Sequence, residues 1–188
     1  MFNICRPSDH RVREFLASQK TLPFPYTQVG ASLDEAPKGY AIDHNRVQLG
    51  RGRPVFDRAK TAIREWKMFD MAWVRLCWPD APIQIGSTVG IVVFHLGFWS
   101  LNAARVVYVL DQDPQRYGFA YGTLPGHAEI GEERFSVEFR PDDESVWYDV
   151  YAFSRPHALA QAGYPLARML QRRFARDSLL AMQFATSR

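Results

Sequence analysis

The sequence predicts an α+β domain in which a curved antiparallel sheet grips a long C-terminal helix. Several valine-rich or alternating runs follow one another through short connections, which is typical of an antiparallel meander. The end of the chain has apolar residues three and four positions apart, which predicts a helix. A shorter helix and an extended arm precede these strands. A sheet of this kind can curl around the long helix and enclose a cavity between them.

Composition indicates one folded domain without a nucleic-acid partner. The 188 residues fit a single domain, residues 1–188, in which 1–38 are expected to form an N-terminal helix and a packed arm. An apolar content of 47% suffices for a core, and an aromatic content of 14% indicates a large core or a lined pocket. The net charge is +3 and both signs are mixed along the chain, so no basic patch for nucleic acid is predicted.

Cysteine use and hydropathy bear on location. Cys5 and Cys77 are too few for a disulfide framework or a zinc site, which indicates a reducing, cytoplasmic compartment. The N-terminus lacks the apolar segment of a signal peptide. The most apolar region, Val89 to Leu110, is interrupted by polar residues, so no integral membrane segment is expected.

The first third of the chain alternates helical and extended signals. Pro7-Ser8 predicts the start of a short helix that runs to about Gln19. Two prolines and a glycine exclude regular structure from residues 22–32, the N-terminal arm, whose aromatic content predicts that it packs across the domain. An extended segment is predicted over Gly39 to Gly50. Pro54 then opens an amphipathic helix that ends near Trp66.

Extended runs and one long helix make up the rest. The predicted strands are Met71–Trp78, Ser87–Gly97, Ala103–Asp111, Tyr117–Thr123, Glu132–Arg140 and Val146–Phe153. Residues 98–102 are predicted to form a turn, as are 124–131. Residues 157–184 are helical in pattern, but Pro165 interrupts them, so the main helix is expected from Pro165 to about Phe184.

The two strands around residues 116–140 contain the most specific patterns. Between Tyr117 and Thr123, three aromatic residues alternate with glycine and alanine, so one strand face is nearly bare and another segment can approach it closely. On the next strand, Glu133 shares a face with three apolar residues, Phe135, Val137 and Phe139. The opposite face is predicted to point to solvent and comprises Glu132, Arg134, Ser136, Glu138 and Arg140.

Five runs together resemble a known family. They are FPYTQVGAS (24–32), RVQLGRG (46–52), RYGFAYGTLPGHAEIGEERF (116–135), WYDVYAFSRP (147–156) and LQRRFARDSLLAM (170–182). They resemble the domain-of-unknown-function family numbered nineteen-ninety, which is grouped with the START and birch-pollen-allergen helix-grip superfamily. The resemblance implies a helix-grip fold. Members of the superfamily commonly hold lipids, sterols or other apolar molecules, and some branches are cyclases or hydrolases. It implies no catalytic residues for this chain.

Periodicity places three charged side chains in the predicted interior. On a helical wheel, Arg173 and Asp177 fall in the same arc as Leu166, Met169, Leu170, Phe174, Leu180, Ala181 and Phe184. Arg168, Arg172 and Arg176 fall on the opposite, solvent side. Glu133 should face the same interior, so these three charges are expected to meet and pair. Such a cluster either fixes the helix against the sheet or anchors a ligand, and the pattern allows both.

Other polar candidates are tyrosines and histidines. Tyr121, Tyr148 and Tyr151 are expected either to line the cavity or to bond backbone groups in the core. His127 lies beside Glu129 in a glycine-rich turn, where it is either an acid–base group or an exposed turn residue. The histidines lack the spacing of a metal site, and no cofactor is predicted.

The favoured function is non-catalytic binding of an apolar or amphipathic small molecule, such as a lipid or an isoprenoid, by the side chains Tyr121, Glu133, Tyr148, Tyr151, Arg173 and Asp177. One alternative is an enzyme of cyclase or hydrolase type that uses Glu133 or His127. Another is a protein-interaction module that presents its aromatic segment, residues 22–26. The sequence specifies no oligomeric state.

Overall fold

The alternating runs form strands and the period-3.6 runs form helices. The computed structural model describes residues 2–34, 36–156 and 164–187. Within these ranges the strands are β1 (Phe2–Asn3), β2 (Ala41–Arg51), β3 (Val74–Cys77), β4 (Thr88–His95), β5 (Phe98–Leu110), β6 (Arg116–Thr123), β7 (Glu129–Phe139) and β8 (Ser145–Pro156). The α-helices are α1 (Asp9–Gln19), α2 (Arg53–Arg64) and α3 (Tyr164–Thr186). The predicted helical stretch at 157–163 lies outside the described residues.

The strands build one antiparallel sheet. Seven of them are hydrogen-bonded in the order β2-β8-β7-β6-β5-β4-β3, and β1 pairs with β5. The register shifts between Gln48 and Gly50 in β2 and between Val106 and Tyr108 in β5. Bulges of this kind bend a strand and increase its twist, which helps the sheet to curl. We call the face toward α3 the inner face, and the face that carries α1 and the N-terminal arm the outer face.

The connection between β4 and β5 is shorter than predicted. Residues 98–102 were expected to form the turn, but they are the first part of β5. The turn consists of Leu96 and Gly97, whose φ angles are +49° and +81°. Two successive residues with positive φ form the two-residue hairpin loop that matches the twist of the strands. Leucine is an unusual residue in such a loop, and this is why the turn could not be located from composition.

Helix α1 packs on the outer face. Ser8 caps it, because its hydroxyl accepts a hydrogen bond from the Arg11 backbone N–H at 3.3 Å. Val12 is fully buried against Val92 of β4 and Leu101 of β5. The predicted helix from Ser8 to about Gln19 is therefore confirmed, and it covers the outer face of β4 and β5.

The N-terminal arm covers the part of the outer face that the glycines of β6 leave bare. A Cβ atom on Gly122 would lie 2.0 Å from the Tyr26 hydroxyl and 2.9 Å from the Phe24 ring. The close approach predicted for this face is confirmed, and the arm itself makes it. Any larger residue at position 122 would displace Tyr26.

Glu132 was predicted to face solvent, and this is wrong. The arm buries it to 2% exposure. Its carboxylate accepts hydrogen bonds from the Tyr26 hydroxyl, the Gly30 N–H, the Ser32 N–H and the Ser32 hydroxyl. The strand alternation was correct, since Glu132 does point away from Glu133. The predicted solvent exposure of Glu132 was wrong, because the arm, about 100 residues earlier in sequence, covers that face.

The inner face holds the core. Phe56, Ala59 and Ile63 of α2 are buried there, at the three- and four-residue spacing that predicted the helix. Trp66 stacks edge-on against Phe119 of β6, with ring centroids 4.8 Å apart. A cluster of aromatic side chains thus packs between the sheet and the helices α2 and α3.

Helix α3 crosses the inner face in a different phase from the predicted one. Met169, Leu180 and Phe184 were assigned to the interior, but they are 53%, 57% and 62% exposed. Ser178, Met182 and Thr186 are buried instead, each to 1% exposure or less. Apolar residues occur on several sides of this helix, so the wheel identified an amphipathic helix but not the centre of its buried stripe.

Candidate functional site

A cavity of about 690 Å³ lies between the inner face of the sheet and α3. Strands β2 and β4–β8, the loop between β6 and β7, a 3₁₀ turn at Lys67–Phe69, and α3 all contribute to its lining. Ligand pockets in proteins typically enclose about 300–1,000 Å³, with apolar walls and a few placed polar groups. The cavity has the size and the position expected of a binding site.

One part of the cavity is aromatic and aliphatic. Phe69 is central to it, with its ring centroid 5.4 Å from that of Phe174 on α3 and 5.6 Å from that of Phe135 on β7. Other apolar lining residues are Trp73, Ile91, Val93, Val150, Ala152 and Leu170. These walls can contact the apolar body of a ligand without offering it hydrogen bonds.

Glu133 and Tyr121 form the best-defined polar pair in the cavity. The Tyr121 hydroxyl donates to Glu133 Oε2 at 2.7 Å, and the two residues are partners in the β6–β7 ladder. Burial raises the pKa of Glu133 from 4.5 to about 7; the Tyr121 hydrogen bond opposes this, and the charges of Glu129 and Asp43 add to it. Burial, more than the charge of Glu133, raises the pKa of Tyr121 well above its usual value. Glu133 is therefore able to hold or release a proton near neutral pH.

His127 lies in the loop between β6 and β7 and also lines the cavity. Its Nδ1 accepts a hydrogen bond from the Glu129 backbone N–H at 3.0 Å. Burial lowers its pKa to about 4, so the ring is neutral at physiological pH. The interpretation of His127 as an exposed turn residue is therefore wrong, because the loop folds inward.

Glu129 and Gln171 connect β7 to α3. The Gln171 amide donates to Glu129 Oε2 at 2.6 Å and to the Ser154 hydroxyl at 2.8 Å. Burial raises the pKa of Glu129, against the Gln171 hydrogen bond and the charge of Arg168. Sequence patterns did not identify Gln171, although its position next to Leu170 and one turn before Phe174 was an available signal.

Arg168 and Asp43 form an ion pair at the edge of the same cavity. The guanidinium contacts both oxygens of the Asp43 carboxylate, with Nη2 to Oδ1 at 2.7 Å. Their side chains are 20% and 23% exposed. Arg168 was predicted to face solvent, which is wrong because the real phase of α3 turns it toward β2.

The three predicted tyrosines have different positions. Tyr121 lines the cavity. Tyr148 is fully buried, and its hydroxyl shares a 2.8 Å hydrogen bond with the Ser178 hydroxyl of α3, so it joins sheet to helix. Tyr151 lies on the outer face, where its ring contacts His44 and the guanidinium of Arg134. Its expected place in the cavity is wrong, because it alternates with Val150 and Ala152, which do line the cavity.

The predicted cluster of Glu133, Arg173 and Asp177 forms only in part. Arg173 Nε lies 3.6 Å from Asp177 Oδ2, as the four-residue spacing predicts. Among the described residues, however, neither makes a hydrogen bond or an ion pair with Glu133. Although burial raises it, hydrogen bonds from Trp73 and Arg176 hold the pKa of Asp177 below its usual value. Asp177 lines a groove between α2 and α3, outside the cavity.

Replacing Arg173 should therefore cost little stability. Its side chain is 46% exposed and lies over the Trp73 ring at 4.5 Å. We expect Arg173→Met to lower the free energy of unfolding by about 1 kcal/mol or less, because exposed ion pairs and cation–π contacts contribute in that range. Urea denaturation of Arg173→Met beside the exposed control Arg172→Met measures the difference. A loss of about 3 kcal/mol or more for Arg173→Met alone would indicate that Arg173 does belong to a buried ion cluster.

Two further properties concern metals and membranes. In the part of the chain that the structure describes, no group of three or more histidine, cysteine or acidic side chains is arranged to hold a metal ion. None of the helices within that part is long and apolar enough to cross a membrane.

Comparison with known proteins gives a family and a fold. Residues 25–181 match the model of the family described as Domain of unknown function (DUF1990). A UPF0548 protein of Dictyostelium discoideum is 35% identical over 199 residues, which cover 95% of this chain and 92% of that protein. This coverage extends the similarity to nearly the whole of both chains.

Solved structures confirm the predicted helix-grip fold. The di-domain ARO/CYC BexL from the BE-7585A biosynthetic pathway superposes with a TM-score of 0.54 at 14% identity, over 81% of this chain and 52% of that chain. Ara h 8.0201 superposes with a TM-score of 0.51 at 11% identity, over 79% of this chain and 98% of that chain. At these identities the likeness shows the shared fold alone.

Proposed function

The chain belongs to the DUF1990 family, and we propose that it binds an apolar or amphipathic small molecule, of lipid or isoprenoid type, in the cavity between the sheet and α3. The cavity of about 690 Å³ is the observation that carries the proposal. The exposed surface of its walls is mainly apolar, and polar side chains such as Tyr121, Glu133 and Gln171 are placed within it, which is the usual composition of a small-molecule site.

The binding residues in this proposal differ from the predicted set. Tyr121 and Glu133 remain, because both line the cavity. Glu129 and Gln171 are added, because their bonded pair faces the same space. The other predicted residues, Tyr148, Tyr151, Arg173 and Asp177, are assigned structural roles in the proposal.

An enzyme of cyclase or hydrolase type is the second candidate. It is favoured by Glu133, whose pKa of about 7 suits a general acid or base at neutral pH. His127 is neutral at that pH, which leaves it able to accept or donate a hydrogen bond in the cavity. Molecules that co-purify with the wild type and with Glu133→Gln separate the candidates. The same molecule in both supports binding, whereas a different molecule trapped in Glu133→Gln supports catalysis.

The structure weakens the third candidate, an interaction module that uses the segment 22–26. Tyr26 in that segment is only 6% exposed and bonds to Glu132. The segment is therefore occupied by contacts within this chain. A cytoplasmic location stays part of the proposal and is supported by Cys5 and Cys77, both of which are free thiols.

Filling part of the cavity should weaken binding. Ala152 lines it from β8, opposite Glu133 in the ladder. We expect Ala152→Phe to weaken binding of Nile red, a neutral apolar dye, by about tenfold or more, because the new ring occupies ligand space. The dye's fluorescence gives the affinity, and native mass spectrometry of protein from its own host identifies the natural occupant.

The matched control is Ile42→Phe, which adds a ring at a position of β2 that is 56% exposed. This variant should bind Nile red as the wild type does. Equal binding by all three proteins, or no binding by the wild type, would contradict the proposal.

A further inference from the structure

The charges that line the cavity are of one sign. Among the described residues that line it, none is lysine or arginine, whereas four are acidic: Asp43, Glu129 and Glu133 on the inner face, and Glu132, whose carboxylate points to the N-terminal arm. The two lining histidines, His95 and His127, both have lowered pKa values because of burial. The described lining residues therefore offer a ligand acidic and neutral side chains, and no lysine or arginine.

Two of the four carboxylates already have strong partners. Glu132 receives hydrogen bonds from the N-terminal arm at 2.6–3.1 Å. Asp43 is paired through both of its oxygens with the Arg168 guanidinium. Neither of these carboxylates needs a ligand to satisfy it.

Glu129 and Glu133 are different. Each accepts one neutral hydrogen bond, from Gln171 at 2.6 Å and from Tyr121 at 2.7 Å, respectively. Within the described ranges neither forms an ion pair, although the Arg168 charge lies close enough to act on Glu129. Both face the same cavity from β7, and the charge of Glu129 acts on Glu133. Two partly buried carboxylates that line one cavity, with no lysine or arginine among its described lining residues, repel each other and repel any anion.

We propose that the ligand is a cationic amphiphile, with a protonated amine held between Glu129 and Glu133 and an apolar body along Phe69, Trp73 and Phe174. This inference rests on the proposed binding function and names its ligand class. An ammonium group donates up to three hydrogen bonds and carries the charge that the two carboxylates lack. The carboxylate of a fatty acid would meet two like charges, and the described lining residues offer it no lysine or arginine.

Three probes that share one chain isolate the head group. Decylamine, decanol and decanoic acid are each titrated against bound Nile red at pH 8 and below their micellar concentrations. At that pH the amine is protonated, as a lysine side chain is, and the acid is ionised. We expect decylamine to bind at least about tenfold more tightly than decanoic acid, with decanol between them.

Single variants test which carboxylates are responsible. Glu133→Gln and Glu129→Gln remove one charge each and retain side-chain volume, so each should reduce the preference for amine over acid by about tenfold. Glu138→Gln is the matched control, because Glu138 lies on the outer face of the same strand and pairs with Arg46. It should leave the preference unchanged.

The possible results distinguish the cationic ligand class from the proposed binding function on which it rests. If the three probes bind equally, or decanoic acid binds best, the cationic ligand is overturned while apolar binding stands. An amine preference that survives in both glutamine variants also overturns it. If Nile red and all three probes fail to bind, the proposed function falls, and the ligand class falls with it.

Discussion

Replacing Glu132 with alanine is expected to lower the free energy of unfolding by about 3–5 kcal/mol. The carboxylate is 2% exposed and bonds four donors of the N-terminal arm. The donor distances are 3.0 Å from the Tyr26 hydroxyl, 2.6 Å from the Gly30 N–H, and 3.1 and 2.8 Å from the Ser32 N–H and hydroxyl. Without the acceptor the Tyr26 hydroxyl and the Ser32 N–H remain buried and lose this partner, which costs more than the lost bonds themselves. Urea denaturation followed by circular dichroism measures the loss.

Glu138→Ala is the control for this prediction. Glu138 lies on the same strand and the same face as Glu132, but its side chain is 38% exposed. Its ion-pair partners, Arg46 and Arg140, are partly exposed as well. Its replacement should cost about 0–1 kcal/mol. Equal losses for the two variants would mean that the arm does not depend on Glu132. Glu132→Gln, which keeps one acceptor oxygen, should fall between them.

The contrast between Glu132 and Glu133 shows how far strand alternation leads. The period of two correctly put these neighbours on opposite faces of β7. Assigning the outer face to solvent assumed that nothing covers it. The arm covers it through contacts across about 100 residues, and no local pattern records such a contact. The bare glycine face of β6 was the available signal, since it predicted a close approach without identifying the segment that makes it.

Helix α3 illustrates a second limit. Its presence followed from the spacing of apolar residues, and the observed helix, Tyr164–Thr186, agrees with the predicted one. The same spacing did not predict which side of the helix is buried. Leu180 and Phe184 are exposed, whereas Ser178 is buried against Tyr148. The small Ser178 lets α3 approach the sheet, a packing requirement that a hydrophobicity wheel does not contain.

Strand alternation alone predicted only those residues of the candidate site that lie on two adjacent strands. Glu133 and Tyr121 are partners on adjacent strands with clear alternation, and both line the cavity. Asp43, Glu129 and Gln171 come from three elements far apart in sequence. Their convergence depends on how strongly the sheet curls and where α3 crosses it, and both are tertiary properties.

The stability of the protein should depend on pH through Glu133. Its pKa is raised from 4.5 to about 7 in the folded protein, chiefly by burial. The folded state therefore holds this proton more tightly than the unfolded chain does, and protonation favours folding. The stabilisation is fully present below pH 4.5 and is lost as the pH rises from 4.5 to 7. A separation of roughly 2.5 between the two pKa values corresponds to about 3 kcal/mol.

Glu133→Gln isolates this contribution, because the amide occupies similar volume, still accepts a hydrogen bond from Tyr121 and does not titrate. All other titrating groups are shared, so the stability difference between the variant and the wild type reports Glu133 alone. Between pH 4.5 and pH 8 the difference should move by about 3 kcal/mol in favour of Glu133→Gln. Tyr121→Phe removes a hydrogen bond that favours the ionised form of Glu133, and so raises the pKa of Glu133 further. In this variant the loss of stability with rising pH should therefore continue to a higher pH than in the wild type. A difference that stays constant across this range would show that Glu133 titrates in the folded protein as it does in the unfolded chain, and that its surroundings are far more polar than those of the cavity.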